Sequence, residues 1–395
     1  MILHLMHDEK FCDNTIKNFE KVNPGNNKYL VFKAAKDKGV YRYISHPELT
    51  CEFFYEHESL NDHVTATPAI SGIIAHSISS LFASAISDLI ENVKLYWIVW
   101  GYDIYTLPEI QPGLYAPKTL SYLTGEKRWL SLSWTLNKYK LLRFLFYTAR
   151  GKKNVWNLHE SAHQKVDYFV TYIREDYELY KAKYPETKCK FLDAAFFNLD
   201  QYVGEAFIDK KTSGKNILIG NSNSPESNHL DVIQFLKDVP LDNETKIYIP
   251  LSYGENDGYK EAVTQSAEQL WGSRSIPLLG FMPQQEYVEI LLTCGVGIFY
   301  HHRQQAMGNI IAMLWLGARV YMAGVNPAFQ FLRRIGVHVF DLQHDFQRYG
   351  LSALTEDQIT RNRAVLTAAF SEEKVEQDYE NLVRNIYEFN GLPCH

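Results

Sequence analysis

The sequence predicts an α/β protein of two domains, each built on a parallel sheet. Three observations carry this. At 395 residues the chain exceeds what one hydrophobic core usually organises. Short apolar runs of strand length recur along it, and stretches of helical periodicity separate most of them, the pattern of parallel α/β units. A polar, glycine-containing segment near the middle divides the runs into two sets.

In order, the strand-like runs are Ile2–Met6, Tyr29–Phe32, Leu95–Trp100, Tyr168–Tyr172, Ile217–Ile219, Lys246–Pro250, Val296–Tyr300 and Arg319–Met322. Helical periodicity covers Ile70–Asn92, Leu230–Leu236, Glu286–Thr293 and the segment Thr355–Asn390, which is polar on one side. The dividing segment runs over 198–215 and ends in Asp209-Lys210-Lys211-Thr212-Ser213-Gly214-Lys215, with a strand immediately after it. The expected domains are therefore 1–205 and 206–350, followed by helices in 351–395 that can pack back across the interface between them.

Composition narrows the function. A formal net charge of -6 gives no general attraction to nucleic acid, so a nucleic-acid partner is not expected. The cysteines, Cys12, Cys51, Cys189, Cys294 and Cys394, are odd in number and scattered, without metal-ligand spacing; reduced thiols in a cytoplasmic protein account for them. The first residues lack the basic and apolar regions of a signal peptide, and no apolar run approaches about 20 residues. Neither secretion nor membrane spanning is expected.

The most informative stretch follows the run Val296–Tyr300: His301-His302-Arg303-Gln304-Gln305, then Gly308-Asn309 opening an apolar helix. A strand that delivers an arginine, two amides and a glycine to a helix N-terminus gathers donors suited to a diphosphate. Arg303 leads because a guanidinium makes fixed two-point bonds that lysine cannot reproduce; a surface ion pair is the alternative. A second stretch is Gly220-Asn221-Ser222 after Ile217–Ile219, with Asn228-His229 leading into the next helix. Glycine admits a ligand close to the backbone, and small polar groups can hold phosphate or sugar oxygens; an ordinary capped βα turn reads equally well. Pro250, Tyr253 and Tyr259 lie in the loop after Lys246–Pro250, and Phe281, Met282 and Pro283 precede the helix at Glu286. These six are candidates for a nucleoside, against plain turns and helix starts. No GxGxxG follows the first strand and no Walker lysine occurs, which disfavours a dinucleotide oxidoreductase or a kinase.

In the first half, Trp97-Ile98-Val99-Trp100-Gly101-Tyr102-Asp103-Ile104-Tyr105 places Asp103 at a loop tip between aromatic surfaces, as an acid/base group or a helix cap. His76, after Ile73-Ile74-Ala75, and Asp8, after His7 at the end of the first strand, are further candidates. Residues 129–153 interleave Trp129, Leu130, Trp134, Leu141, Leu142, Phe144, Leu145 and Phe146 with Lys138, Lys140, Arg143, Arg150, Lys152 and Lys153. Such a stretch suits an anionic membrane face or a helix packed on its own domain.

Taken together, the W-x-x-W-G-x-D-x-Y segment 97–105, the segment 217–229, Pro250 with Tyr253, and Arg303-Gln304-Gln305 with Gly308 resemble the bacterial TDP-N-acetylfucosamine:lipid II N-acetylfucosaminyltransferase family, the 4-alpha-L-fucosyltransferase-like glycosyltransferases. The family pattern has a histidine where Ile98 stands and an acid where Gly295 stands. The resemblance implies a GT-B fold: two Rossmann-like domains with a cleft between them, the second holding the nucleotide sugar and the first facing the acceptor. It implies a nucleoside-diphosphate sugar donor and a lipid-linked saccharide acceptor at the inner face of the cytoplasmic membrane, as in assembly of enterobacterial common antigen or O-antigen. On that basis Gly220, Asn221, Ser222, Asn228, His229, Arg303, Gln304, Gln305, Gly308 and Asn309 hold the donor, and Asp103, His76 or Asp8 supplies the base. No DxD-like pair is evident, so no metal or other cofactor is expected. A non-catalytic nucleotide-sugar-binding scaffold and a GT-B-type nucleotide-sugar epimerase remain as alternatives.

Overall fold

The computed structural model describes residues 1–9, 11–33, 40–45, 51–55, 58–67, 69–90, 93–107, 109–125, 139, 141–142, 145, 155–254 and 256–388. The chain forms two compact units that interleave in sequence. The first comprises Met1–Leu107, Lys140–Phe196 and Glu372–His395, and the second Pro108–Tyr139 and Phe197–Ser371.

The first unit is a seven-stranded sheet of β1 (Ile2–His7), β2 (Asn27–Lys33), β3 (Cys51–Tyr55), β4 (Gly72–Ala75), β5 (Leu95–Ile98), β6 (Tyr168–Val170) and β7 (Lys190–Leu192). The order is β3-β2-β1-β4-β5-β6-β7, and every pairing is parallel. Its central strands are mostly buried and apolar, as in a parallel sheet covered on both faces, with His4 of β1 and Asn27 of β2 as buried polar exceptions. One face carries the helices Cys12–Val22 and Glu372–Glu388, joined through Phe19 and Tyr379, whose rings meet edge-on at 4.8 Å. The last helix buries Val375, Tyr379, Leu382, Val383 and Ile386, a helical stripe, and Gly72 lies so close to Ile386 that a Cβ there would stand 2.9 Å from its Cγ2.

The periodicity of Ile70–Asn92 predicts one helix. The structure instead has β4, fully buried, followed by the helix Ser80–Ser87, whose cap Ser79 accepts the Phe82 N–H at 3.4 Å. Four buried apolar residues have the same character in a central strand as in a core helix, so periodicity cannot separate them.

The second unit is a six-stranded sheet of β8 (Asn216–Ile219), β9 (Ile247–Pro250), β10 (Ser275–Leu278), β11 (Cys294–Phe299), β12 (Arg319–Met322) and β13 (Phe340–Asp341). Its order is β10-β9-β8-β11-β12-β13, again all parallel. β11 carries an irregularity between Cys294 and Val296. At Gly295 there, a Cβ would stand 2.4 Å from the Gly214 carbonyl oxygen, so the two backbones meet closely at this point.

In both sheets the strand order reverses beside the first strand, between β1 and β4 and between β8 and β11. The crevice beyond the carboxyl ends of the strands at such a point is where open α/β sheets bind ligands. Most of the 129–153 stretch lies outside the described residues; Tyr139, Leu141, Leu142 and Leu145 are described, and all four are exposed. No helix among the described residues is long and apolar enough to cross a membrane.

Candidate functional site

At the reversal point of the second sheet, β8 ends in Gly220, whose N–H donates to the Ile298 carbonyl of β11 at 2.9 Å. Gly220 has φ +70°, and a Cβ there would stand 2.2 Å from His229 Nε2; both the turn and the imbedded imidazole require glycine. The chain continues into Asn221 and Ser222, which meet the loop after β11. Asn221 Oδ1 accepts from His301 Nε2 at 3.1 Å and from Gln305 Nε2 at 2.9 Å, and Gln305 Nε2 also donates to Ser222 Oγ at 3.2 Å. Ala306, left-handed at φ 63°, turns the loop into the helix Met307–Trp315. Half-buried Arg303 donates through Nη1 to the Gln304 carbonyl at 3.3 Å. The structure thus brings Gly220, Asn221, Ser222, His229 and the Arg303–Gln305 segment to one place.

Around these loops Asn223 Oδ1, both ring nitrogens of His229, His301 Nδ1, Gln304 Oε1 and Gln305 Oε1 are buried without a hydrogen-bond partner among the described residues. Orphaned buried polar atoms are costly and uncommon, and their concentration here makes these loops the candidate ligand site of the second unit. Burial pushes His229 down to about 3. His301 is held well below its ordinary value by burial first and by Arg303 and neighbouring histidines second. Both rings are neutral at pH 7, leaving Arg303 and the helix N-terminus to supply positive charge.

Several expected ligand contacts have other jobs. Asn228, fully buried and left-handed at φ 52°, accepts the Ala116 N–H at 2.9 Å and points its amide nitrogen at the carbonyls of Leu114 (3.1 Å), Glu226 (3.2 Å) and Tyr300 (3.0 Å). Its amide is committed to tying the Leu114–Ala116 segment to β11. Tyr259 is core: its hydroxyl accepts the His229 N–H at 3.0 Å. Asn309 Nδ2 donates to the Tyr287 hydroxyl at 2.9 Å. Asp231, which composition does not single out, accepts the N–H groups of Lys118 (2.8 Å) and Thr119 (2.9 Å) and so caps the helix Pro117–Gly125. His302 donates from Nδ1 to the Gly113 carbonyl at 3.0 Å.

Of the nucleoside candidates, Pro250 closes β9 and is buried, while Tyr253 and Phe281 show 71% and 80% of their surface. Met282 is half-buried and Pro283 exposed. The Asn223 N–H donates to the Tyr253 carbonyl at 2.8 Å, which couples this loop to the one after β8.

In the first unit, Asp103 is buried rather than at an exposed loop tip. Its Oδ2 accepts the Trp97 indole N–H at 2.7 Å while Oδ1 has no partner among the described residues, and burial pushes its carboxyl up to about 7 against that bond and nearby backbone N–H groups. Asp8 pairs with Lys33 at 2.8 Å and accepts the N–H groups of Arg42 (2.7 Å) and Tyr43 (3.0 Å). Burial alone would raise it, but these bonds outweigh burial and hold it below the ordinary carboxylate value. His76 is buried, with Nε2 3.0 Å from His4 Nδ1.

Burial lowers His4, His163 and His229 to about 3 and His7 and His159 to about 4. These rings are neutral when folded and take up protons near the ordinary value, 6.5, when unfolded. Their stabilising contribution is therefore complete above 6.5 and is lost as pH falls toward 4, each by up to about 1.4 kcal/mol per pH unit. Urea unfolding should show the midpoint dropping steeply between pH 6.5 and 4.5; a flat midpoint over that range would contradict the burial of these rings.

Solved structures share this architecture. The N-terminal domain of Candida albicans trehalose-6-phosphate phosphatase superposes with a TM-score of 0.64 at 8% identity, over 98% of this chain and 96% of that one. Sucrose-phosphate synthase from Thermosynechococcus elongatus gives 0.61 at 8% identity, over 98% and 100%. Anabaena HepE in complex with UDP and glucose gives 0.52 at 10% identity, over 99% and 97%. The fold is that of the GT-B glycosyltransferases, as the resemblance implies. The model of the family described as 4-alpha-L-fucosyltransferase glycosyl transferase group 56 matches residues 146–385, more than half of the chain, and the protein belongs to that family.

Proposed function

We propose that this glycosyltransferase moves a deoxyamino sugar, with N-acetylfucosamine on TDP as the expected donor, onto a hydroxyl of a polyprenyl-diphosphate-linked saccharide in bacterial surface-polysaccharide assembly. The observation that carries the donor half is the ring of orphaned polar atoms on Asn223, His229, His301, Gln304 and Gln305 beside Arg303. Bond breaking at the anomeric carbon leaves negative charge on the diphosphate. Arg303, the N–H groups opening the helix Met307–Trp315 and the Gly220–Ser222 loop stabilise that charge without a metal ion. Tyr253 and Phe281 offer exposed aromatic faces to the nucleobase. In an inverting transfer the first unit supplies the group that takes the acceptor proton, from Asp103, His76 or Asp8. The exposed Tyr139, Leu141, Leu142 and Leu145, in a stretch rich in lysine and arginine, favour docking on an anionic inner membrane face.

Thermal-shift measurements with TDP-, UDP- and GDP-linked sugars test this. A ligand at a hundred times its Kd stabilises the native state by about 2.7 kcal/mol, so the donor should raise the transition by several degrees, equally with and without EDTA. UDP stays in the panel because HepE is known with it. Silence across the panel overturns the donor reading. Co-sedimentation with phosphatidylglycerol vesicles, abolished by Lys152→Glu with Lys153→Glu, tests the membrane part; equal pelleting of the variant removes it.

A further inference from the structure

The reversal point of the first sheet carries a second set of unsatisfied polar groups. His76 follows β4, 6% exposed, with Nδ1 buried and unpartnered; Ser77 is fully buried with Oγ unpartnered among the described residues. Ser77 also has φ +114°, a conformation that costs an L-residue about 1–3 kcal/mol and persists where the surroundings impose it.

The protonation of His76 can be traced from the start of β2, along one face of the sheet. Glu20 Oε1 accepts from the Asn27 amide nitrogen at 2.9 Å and from the Tyr29 hydroxyl at 3.0 Å, and Asn27 Nδ2 also donates to the Asn23 carbonyl at 2.8 Å. These acceptors fix which end of the Asn27 amide is nitrogen. Its Oδ1, which also accepts from Asn23 Nδ2 at 3.0 Å, faces His4 Nε2 at 3.2 Å. His4 must therefore donate from Nε2, which leaves Nδ1 of the neutral ring as an acceptor. The His76 Nε2 at 3.0 Å must then carry the proton, which leaves Nδ1 bare. Burial keeps both rings neutral at pH 7.

We propose that Glu20, Asn27 and His4 are positioning residues that hold His76 as the Nε2–H tautomer, so that His76 Nδ1 accepts, and Ser77 Oγ meets, the hydroxyl of the acceptor sugar. This rests on the reading of the protein as a transferase to a hydroxyl, and it selects His76 over Asp8, whose carboxylate is committed to Lys33 and backbone N–H groups. As the hydroxyl oxygen bonds to the anomeric carbon, the bond from that carbon to the diphosphate breaks with its electron pair on the leaving group. The hydroxyl proton passes to His76 Nδ1. The imidazolium keeps its Nε2–H bond to His4 and afterwards releases the proton to solvent, a division of labour like that of a base held by a fixed partner.

The test uses the full chain labelled with 15N-histidine, with His4 and His76 assigned through single variants. Long-range proton–nitrogen correlation spectra should show both rings as Nε2–H tautomers; an Nδ1–H tautomer at His76 overturns the relay whether or not any sugar is transferred. In turnover assays, His76→Gln and His4→Phe should each lower kcat on the order of a hundredfold while leaving the donor KM unchanged, and His4→Gln should restore part of the loss. A His76→Gln enzyme turning over at the wild-type rate removes His76 as the base. If wild-type protein binds no nucleotide sugar, the transferase reading fails, whereas the spectrum still decides the tautomer.

Discussion

Replacing Arg303 by alanine is expected to lower kcat/KM for the nucleotide sugar by about two to three orders of magnitude, in the range of removing one preorganised oxyanion donor, with the thermal transition unchanged. The size follows from what surrounds it. His229 and His301 are neutral by burial, and His302 is lowered by the same cause and uses Nδ1–H on the Gly113 carbonyl. The amides Gln304 and Gln305 carry only partial charge. A full positive charge at this loop therefore comes from the guanidinium, and on the proposed reading its absence leaves the developing diphosphate charge to the helix N–H groups and the Gly220–Ser222 loop, which carry only partial charges. Arg303→Lys should recover only part of the rate, because an ammonium keeps the charge and loses the two-point geometry. Steady-state kinetics with the donor identified by thermal shift checks both variants. Wild-type kcat/KM in Arg303→Ala would assign the leaving-group charge to another group.

The strands legible from sequence are those whose burial is two-sided. β1, β2, β5 and β6 in the first sheet and β8, β9, β11 and β12 in the second coincide with predominantly apolar runs, because a parallel strand covered on both faces is mostly apolar. Four of the five strands that periodicity does not reveal are the sheet edges, β3, β7, β10 and β13. An edge strand is held on one side only, and Lys190–Leu192 and Ser275–Leu278 are correspondingly half-exposed, so their composition carries no run to detect. The fifth, β4, is central, but its four residues Gly72–Ala75 are too short a run for periodicity to tell a strand from the start of the helix that follows. The membership of residues 109–125 in the second unit has no local signal: among its ties are bonds from Ala116, Lys118 and Thr119 to Asn228 and Asp231, which lie more than a hundred residues away in sequence.

The meeting of the candidate donor loops is legible to the same degree. Gly220–Ser222 and Arg303–Gln305 follow the first and fourth strands of a doubly wound sheet, which that topology places side by side, so two loops some eighty residues apart point to one crevice. What sequence does not distinguish is a polar side chain facing a ligand from one spent on the protein. Asn228 and Asn221 look alike in the chain, yet one amide is saturated by carbonyls and the other serves as a hub for His301 and Gln305. His4 and Asn27 sit inside apolar strands, and only the tertiary pairing of β1 with β2 and β4 turns them into a line of hydrogen bonds ending at His76.

Two glycines at the proposed donor crevice separate architecture from ligand approach, and their alanine variants should move in opposite directions. Gly220→Ala places a Cβ 2.2 Å from His229 Nε2 and 2.9 Å from its Cδ2. The ring is fully buried beside Tyr259, with centroids 5.9 Å apart, so it cannot swing aside without opening the core. Left-handed strain adds about 1–3 kcal/mol and overpacking a similar amount, about 1–3 kcal/mol. For a unit of this size the sum corresponds to a fall in transition temperature of roughly 4–24 °C, with donor binding expected to be lost as the Asn221–Ser222 loop shifts. Gly308→Ala meets only Tyr202 Cδ1, at 3.8 Å, an ordinary contact, and alanine in a helix is worth about 0.5–1 kcal/mol over glycine. That variant should therefore be slightly more stable than wild type, yet bind the nucleotide sugar more weakly if, as proposed, a phosphate oxygen approaches the helix N–H groups where the new methyl stands. Calorimetry and donor titration on the same samples read both quantities. If Gly308→Ala gains stability with unchanged donor affinity, the diphosphate does not approach that turn. If Gly220→Ala melts like wild type, His229 is not locked against β8.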